Sequence, residues 1–169
     1  MRARDARPGD ARAIAETHVA SWHAAYRGVI SDAALDELTV ESLEPRWLAE
    51  VVSPKDEAST VAVVEVEGRI AGYSRFGPAL DDDLDPGATG EVYGFYLHPD
   101  LWGRGAGRAL MEHVIGDLRA RGFDLGVLWV VQANDRAQGF YRALGWAPDG
   151  RDDKLCIDAP EFRFRRELS

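Results

Sequence analysis

From His98 to Arg108 the chain reads His-Pro-Asp-Leu-Trp-Gly-Arg-Gly-Ala-Gly-Arg, with glycine at every second position from Gly103 to Gly107. Without a Cβ, glycine lets backbone N–H groups come close to a ligand, and a helix starting at the same place adds about half a positive charge from its dipole. Such a turn suits a phosphate or pyrophosphate, held on the amides of Gly103, Arg104, Gly105, Ala106, Gly107 and Arg108. The Arg104 and Arg108 side chains can add charge-assisted bonds. The dinucleotide fingerprint G-x-G-x-x-G fails, because the residue three after Gly105 is Arg108. A P-loop needs Gly-Lys followed by Ser or Thr, and neither Lys55 nor Lys154 follows a glycine. A tight connection that binds nothing is the remaining alternative, and it would carry the glycines' conformational cost without a ligand. Other chemistry is sparse. His18, His23, His98 and His113 show no paired metal spacing, and no Ser-His-Asp or Cys-His arrangement can be argued, so no metal site is expected.

These residues need elements to hold them. Residues 2–7 can form an edge strand, and Pro8-Gly9-Asp10 reads as a turn in which Asp10 caps a helix carrying Ile14, Val19, Trp22 and Tyr26. Gly28 ends that helix, Ser31-Asp32 can cap a short one over residues 33–38, and Thr39 begins another that ends near Val52. The pattern then changes to period two. Residues 60–66 read as a strand, Glu67-Gly68 as a hairpin turn and residues 70–76 as its partner, broken by Gly77-Pro78. An acidic loop with Asp81, Asp82, Asp83 and Asp85 leads to a strand over residues 91–97. Residues 104–121 form the clearest helix, with Ala106, Leu110, Val114 and Leu118 on one stripe and Gly122 as its stop. Residues 123–131 suit a strand buried on both faces, Asn134-Asp135 caps a last helix stopped by Gly145, and short strands follow near 155–157 and 162–166. This order describes a mixed α/β domain over residues 1–169 with one parallel crossover in its second half.

The motifs together resemble the GNAT superfamily of acyl-CoA-dependent N-acetyltransferases. Its pyrophosphate signature, Gln/Arg-x-x-Gly-x-Gly/Ala, is similar to Trp102-Gly-Arg-Gly-Ala-Gly107, with Trp102 in place of the usual Gln or Arg. The resemblance runs through Glu91-Val-Tyr-Gly-Phe-Tyr-Leu-His-Pro99 and Asn134-Asp-Arg-Ala-Gln-Gly-Phe-Tyr-Arg-Ala-Leu-Gly-Trp146, and Trp22-His-Ala-Ala-Tyr-Arg-Gly28 looks like one branch of the family. It covers about residues 8–148. It implies a mixed sheet, mostly antiparallel, with a central splayed parallel strand pair and flanking helices. Acetyl-CoA would be the cosubstrate and an amine the acceptor.

By resemblance, the pantetheine arm pairs with the backbone of Phe95, Tyr96 and Leu97, Asn134 contacts the cofactor, and Tyr141 points at the sulfur. A tyrosine hydroxyl is neutral at pH 7 and can protonate a departing thiolate. Glu91 stands where many relatives place a catalytic glutamate, acting directly or through water. Some relatives instead use a glutamate five residues before the asparagine, and that position here is Trp129. Trp22, Tyr26 and Tyr93 are the candidates for acceptor contact. The Asp81–Asp85 run either attracts a cationic amine or is a solvated loop.

Composition narrows the partners. Twenty basic residues against 29 acidic give a net charge of −9, which disfavours a nucleic-acid surface and suits a neutral or cationic partner. The longest wholly apolar run, 127–131, is far short of the roughly 20 residues of a membrane helix, so no membrane partner is expected. The N-terminus lacks the apolar stretch of a signal peptide, and the lone Cys156 fits a reducing cytoplasm. By the same resemblance the acceptor is expected to be a small-molecule or peptide amine. The oligomeric state is not fixed by these features, and a homodimer stays open. A non-catalytic acyl-CoA-binding module or sensor is the competing reading.

Overall fold

Strand and helix follow the change of hydrophobic period. In the computed structural model, which describes residues 1–54 and 58–168, β1 (Arg2–Asp5), β2 (Thr60–Val66), β3 (Arg69–Pro78) and β4 (Thr89–Leu97) form an antiparallel meander with β1 at the edge. β2 is apolar at consecutive positions because it is covered on both faces. Ala62 and Val64 point into one cluster with α4 (Ala106–Ala120), while Val61 and Val63 meet Ile14 of α1 (Ala11–Tyr26) on the other side. The helices α2 (Asp32–Asp36) and α3 (Val40–Val52) follow α1 in the chain, and α3 packs against it. The crossover β4–α4–β5 gives a single parallel pair, and β5 (Leu125–Val131) then pairs antiparallel with β8 (Ala159–Glu167). Next come α5 (Asp135–Ala143) and the short β6 (Ala147–Pro148) and β7 (Leu155–Cys156), and the sheet order is β1-β2-β3-β4-β5-β8-β6 with β7 on β8. The mixed, mostly antiparallel sheet with one parallel pair and flanking helices is the expected architecture.

Several local expectations change. Asp10 does not cap α1, because its carboxylate accepts from the Arg7 N–H at 2.7 Å and from the Arg4 guanidinium at 2.7 and 3.1 Å. The α4 helix starts at Ala106 rather than 104, since Gly105 stands at φ 82°. The β3 strand continues through Gly77 to Pro78, because these residues pair with Glu91 and Gly90 of β4, and the Tyr93 hydroxyl donates to the Pro78 carbonyl. Among the described residues no helix is long and apolar enough to cross a membrane.

The feature that matters most for the site is a bulge in β4. Arg75 pairs with Gly94 and Phe76 with Val92, leaving Tyr93 as the extra residue. An extra residue reverses the side-chain alternation beyond it. Val92, Phe95 and Leu97 therefore all join the cluster around α4, whereas Tyr96 turns to α1. Past the same point β4 leaves β5, since their pairing ends at Val92 and Leu128.

Candidate active site

A cavity of about 930 Å³ fills the gap between β4 and β5. At one end it is lined by Gly103, Gly105, Gly107 and Arg108, and at the other by Leu80, Glu91, Lys154, Leu155 and Glu161, with Tyr26, Asn134 and Tyr141 between.

The glycine end is built from backbone. Gly103 and Gly105 lie at φ 75° and 82°, where side-chain-bearing residues are strained, and a Cβ on Gly103 would meet nothing within 4 Å. The open face of the turn therefore consists of amides at the start of α4, which is the donor set a diphosphate requires. Gly107 serves packing instead, as a Cβ there would come within 3.0 Å of Leu97 and Phe140. Trp102 does more than its backbone would. Its indole N–H donates to the Leu97 carbonyl at 3.0 Å, and the Arg136 guanidinium lies 4.1 Å from the centre of its ring. Arg104 and Ala106 are not in the cavity wall: the first is exposed and the second is buried in the core.

The middle of the cavity follows from ladder phase. The His98 N–H donates to the Ala71 carbonyl, so Tyr96 and Gly94 also face β3, and the N–H groups of Phe95 and Leu97 face the gap. Those free donors suit an extended amide-bearing chain lying along β4. Asn134 caps α5 by accepting the Ala137 N–H at 3.0 Å and still borders the cavity, where it interacts with the Tyr26 hydroxyl. Tyr141 is 6% exposed, with its ring against Phe95, Phe140, Trp146 and Phe164. Burial pushes its phenol well above the usual value, so it is a neutral donor at physiological pH. Burial likewise raises Tyr26, to about 12. The Tyr96 side chain turns away into an aromatic group with His18, Trp22 and Tyr73.

The far end is built from side chains. Glu91 is 4% exposed, accepts the Leu80 N–H at 2.8 Å and lies 3.7 Å from the Lys154 ammonium. Desolvation raises its carboxyl above the usual range, opposed by that N–H and by Lys154. The acidic loop divides: Asp82 and Asp85 are exposed, whereas Asp81 and Asp83 are tied to cations of this chain. Asp81 accepts from Trp129 at 2.9 Å, Lys154 at 2.7 Å and Arg163 at 3.1 Å, and the buried Arg163 also holds Asp83 and Asp149. Tyr93 lines the wall near Glu91, with its hydroxyl on Pro78 and the Arg75 guanidinium 4.9 Å from its ring centre. Trp22 stands outside the lining, stacked on His18 with ring centres 5.0 Å apart.

Sequence reasoning missed Leu80, Lys154, Leu155 and Glu161. A signal for the last was present: Glu161, Arg163 and Arg165 alternate with the apolar Phe162 and Phe164 along a strand next to the buried β5.

Known proteins agree with this architecture. The Acetyltransferase (GNAT) family model matches residues 19–146. The uncharacterized N-acetyltransferase YuaI of Bacillus subtilis is 29% identical over 131 residues, covering 78% of this chain and 72% of that one. The PaiA N-acetyltransferase of Thermoplasma acidophilum, solved in complex with coenzyme A, superposes with a TM-score of 0.77 at 15% identity, over 98% of this chain and 97% of that one. The yncA protein of Salmonella typhimurium, solved with its cofactor acetyl-CoA, gives 0.73 at 21% identity over 100% and 94%. With most of its length matched to one family model, the chain belongs to the GNAT family of acetyltransferases, whose cosubstrate is acetyl-CoA.

Proposed function

We propose that this acyltransferase moves the acetyl group to a primary amine by direct attack within a ternary complex, as one unit of 169 residues. The observation that carries this reading is the shared cavity: the amide-lined turn and the Glu91 carboxylate border one continuous space, with Tyr141 between them. Bound acetyl-CoA would supply an activated thioester. The Gly103–Arg108 amides hold the diphosphate, and the Phe95 and Leu97 N–H groups orient the arm, with Leu97 also placed to polarise the acetyl carbonyl. A primary amine with pKa near 10.4 is neutral in only about one molecule in 2,500 at pH 7, a penalty of roughly 4.6 kcal/mol. Glu91 takes the amine's proton, directly or through water, and its burial makes it a stronger base than an exposed carboxylate. Tyr141 gives its proton to the sulfur. Holding the two reactants together supplies much of the rate.

Release of free thiol from acetyl-CoA, followed across a panel of amines, tests this. Tyr141→Phe should lower turnover by roughly 10²-fold and leave CoA affinity within about twofold. Unchanged turnover across pH would remove Tyr141 from its role. CoA binding with no acceptor-dependent thiol release would make the protein a sensor.

A further inference from the structure

Almost every acidic group at the acceptor end is already engaged. Asp81, Asp83 and Asp149 are held by Arg163, Lys154 and Trp129, and Glu91 by the Leu80 N–H and Lys154. Glu161 differs. It is half-buried on β8 and lines the cavity, its own N–H donates to the Lys154 carbonyl, and its carbonyl accepts from Gln132. Among the described residues its carboxylate oxygens have neither a hydrogen bond nor an ion pair. A half-buried carboxylate without a partner is a standing cost, and a cation entering the cavity would offset it.

The apolar groups beside it define the rest of the ligand. Leu80 and Leu155 are each 63% exposed while bordering the cavity, and Trp129 lines the same space with the Lys154 ammonium 4.7 Å from its ring centre. Large aliphatic side chains left this open beside a cleft mark a surface that an apolar body covers.

Resting on the acetyltransferase reading, we propose that Glu161 docks the ammonium of the acceptor, and that the acceptor is a primary monoamine with an apolar body and no carboxylate next to the nitrogen. The last condition follows from charge. A carboxylate one carbon from the amine would be brought against both Glu91 and Glu161, while the Lys154 ammonium bordering that end is already bonded to Asp81 at 2.7 Å and lies 3.7 Å from Glu91, so repulsion between like charges in a low-dielectric cleft prevails. Free α-amino acids are therefore excluded, and arylalkyl or alkyl amines admitted.

The groups facing Glu161 give the pH behaviour. Burial pushes its carboxyl up to about 7, against Lys154 next to β7, which lowers it, and with a smaller push upward from Glu91 of β4. Cys156 of β7, Tyr26 of α1 and Tyr141 of α5 complete its surroundings. The thiol and the two phenols are held neutral by their raised values. The acceptor remains a cation through this range, so docking strengthens as Glu161 ionises.

Calorimetry on the protein saturated with CoA, which permits no turnover, tests the inference. The probes are phenylethylamine and phenylalanine, which share one body and differ by a carboxylate. Phenylethylamine should bind at least tenfold tighter than phenylalanine. Its affinity should rise about tenfold from pH 6 to pH 8, and Glu161→Gln should weaken it by roughly 10- to 100-fold and flatten that rise. CoA affinity, unchanged in the variant, shows that the fold is intact, and Glu161→Asp should recover part of the loss. Equal binding of the two probes, no binding of phenylethylamine, or an unaltered affinity in a CoA-competent variant each overturns the proposal. A wild-type protein that does not bind CoA at all overturns the acetyltransferase reading instead.

Discussion

The two ends of the cavity are made from different material. In the function proposed above, the recognising groups at the glycine end are amides of one contiguous segment, shaped by φ 75° at Gly103 and φ 82° at Gly105 and by the start of α4. At the acceptor end they are side chains of Leu80, Glu91, Trp129, Lys154, Leu155 and Glu161, drawn from segments far apart in the chain and tied together by the Arg163 ion network. Backbone recognition suits a cosubstrate common to a family, because it tolerates most side-chain changes. Side-chain recognition suits an acceptor that differs between members. The first end is local and rigid, whereas the second depends on long-range contacts and on buried charge.

Arg163 offers the harshest way to break that contrast. It is 4% exposed and its guanidinium bonds Asp81, Asp83 and Asp149. Arg163→Ala leaves the Asp149 carboxylate, at 9% exposure, without its ion pair, and takes the guanidinium from Asp81, which keeps only Lys154 and Trp129. Removing one partner of such a buried group should cost about 3–5 kcal/mol, read as a drop in the urea midpoint. Lysine should not restore it, because one ammonium cannot reproduce the forked contacts. A loss below about 1 kcal/mol would mean that the network does not hold this end together. Gly105→Val attacks the other end. A β-branched residue at φ 82° carries about 1–3 kcal/mol of strain, relieved by reshaping the turn. CoA affinity by calorimetry should fall roughly 10- to 100-fold. Full affinity would show that the amide geometry is not what binds the diphosphate.

The same contrast explains what could be read from the sequence. The glycine turn, Asn134 as the cap of α5, the Glu67-Gly68 hairpin and the apolar stripe of α4 are short-range patterns, and all stand where local chemistry puts them. Glu91, Tyr141 and Tyr93 border the cavity because β4 and α5 bring them there. The bulge at Tyr93 was not legible, since it depends on how β3 and β4 pair, although Gly94 and the three-residue step from Val92 to Phe95 carry its trace. The Asp81–Asp83 segment could not be understood without its partner, Arg163, which lies 80 and 82 residues away. Glu161 was hidden for the same reason. The alternation along β8 marks the face it shares with Arg163, but that this face meets Glu91 depends on strands far apart in the chain.

Trp102 sharpens the comparison gently, because there a side chain supports the backbone end. Trp102→Phe removes the N–H that fixes the Leu97 carbonyl and weakens the contact with Arg136. The expected cost is about 1 kcal/mol, with CoA affinity lowered severalfold, checked by thermal melts and calorimetry.

The smallest effect concerns the price of keeping an acceptor site open. In the folded chain Glu161 titrates near 7, above its ordinary value of 4.5. A carboxyl raised by folding contributes stability that is fully present below its unfolded value and is lost as pH climbs through the folded one. Between about pH 4.5 and 7 the wild type should therefore lose stability at this residue, while Glu161→Gln, with nothing to ionise, should not. Asp10 and Asp81 are lowered on folding and add stability over a more acidic range in both proteins, so they cancel in the difference. The melting temperature of the variant minus that of the wild type should rise by about a degree or two from pH 5 to pH 8, a modest span because the carboxylate is half exposed to water. A flat difference would mean that Glu161 is comfortably solvated in the free protein. The acceptor end would then hold no carboxylate waiting for a cation, and the two ends would differ in material but not in stored free energy.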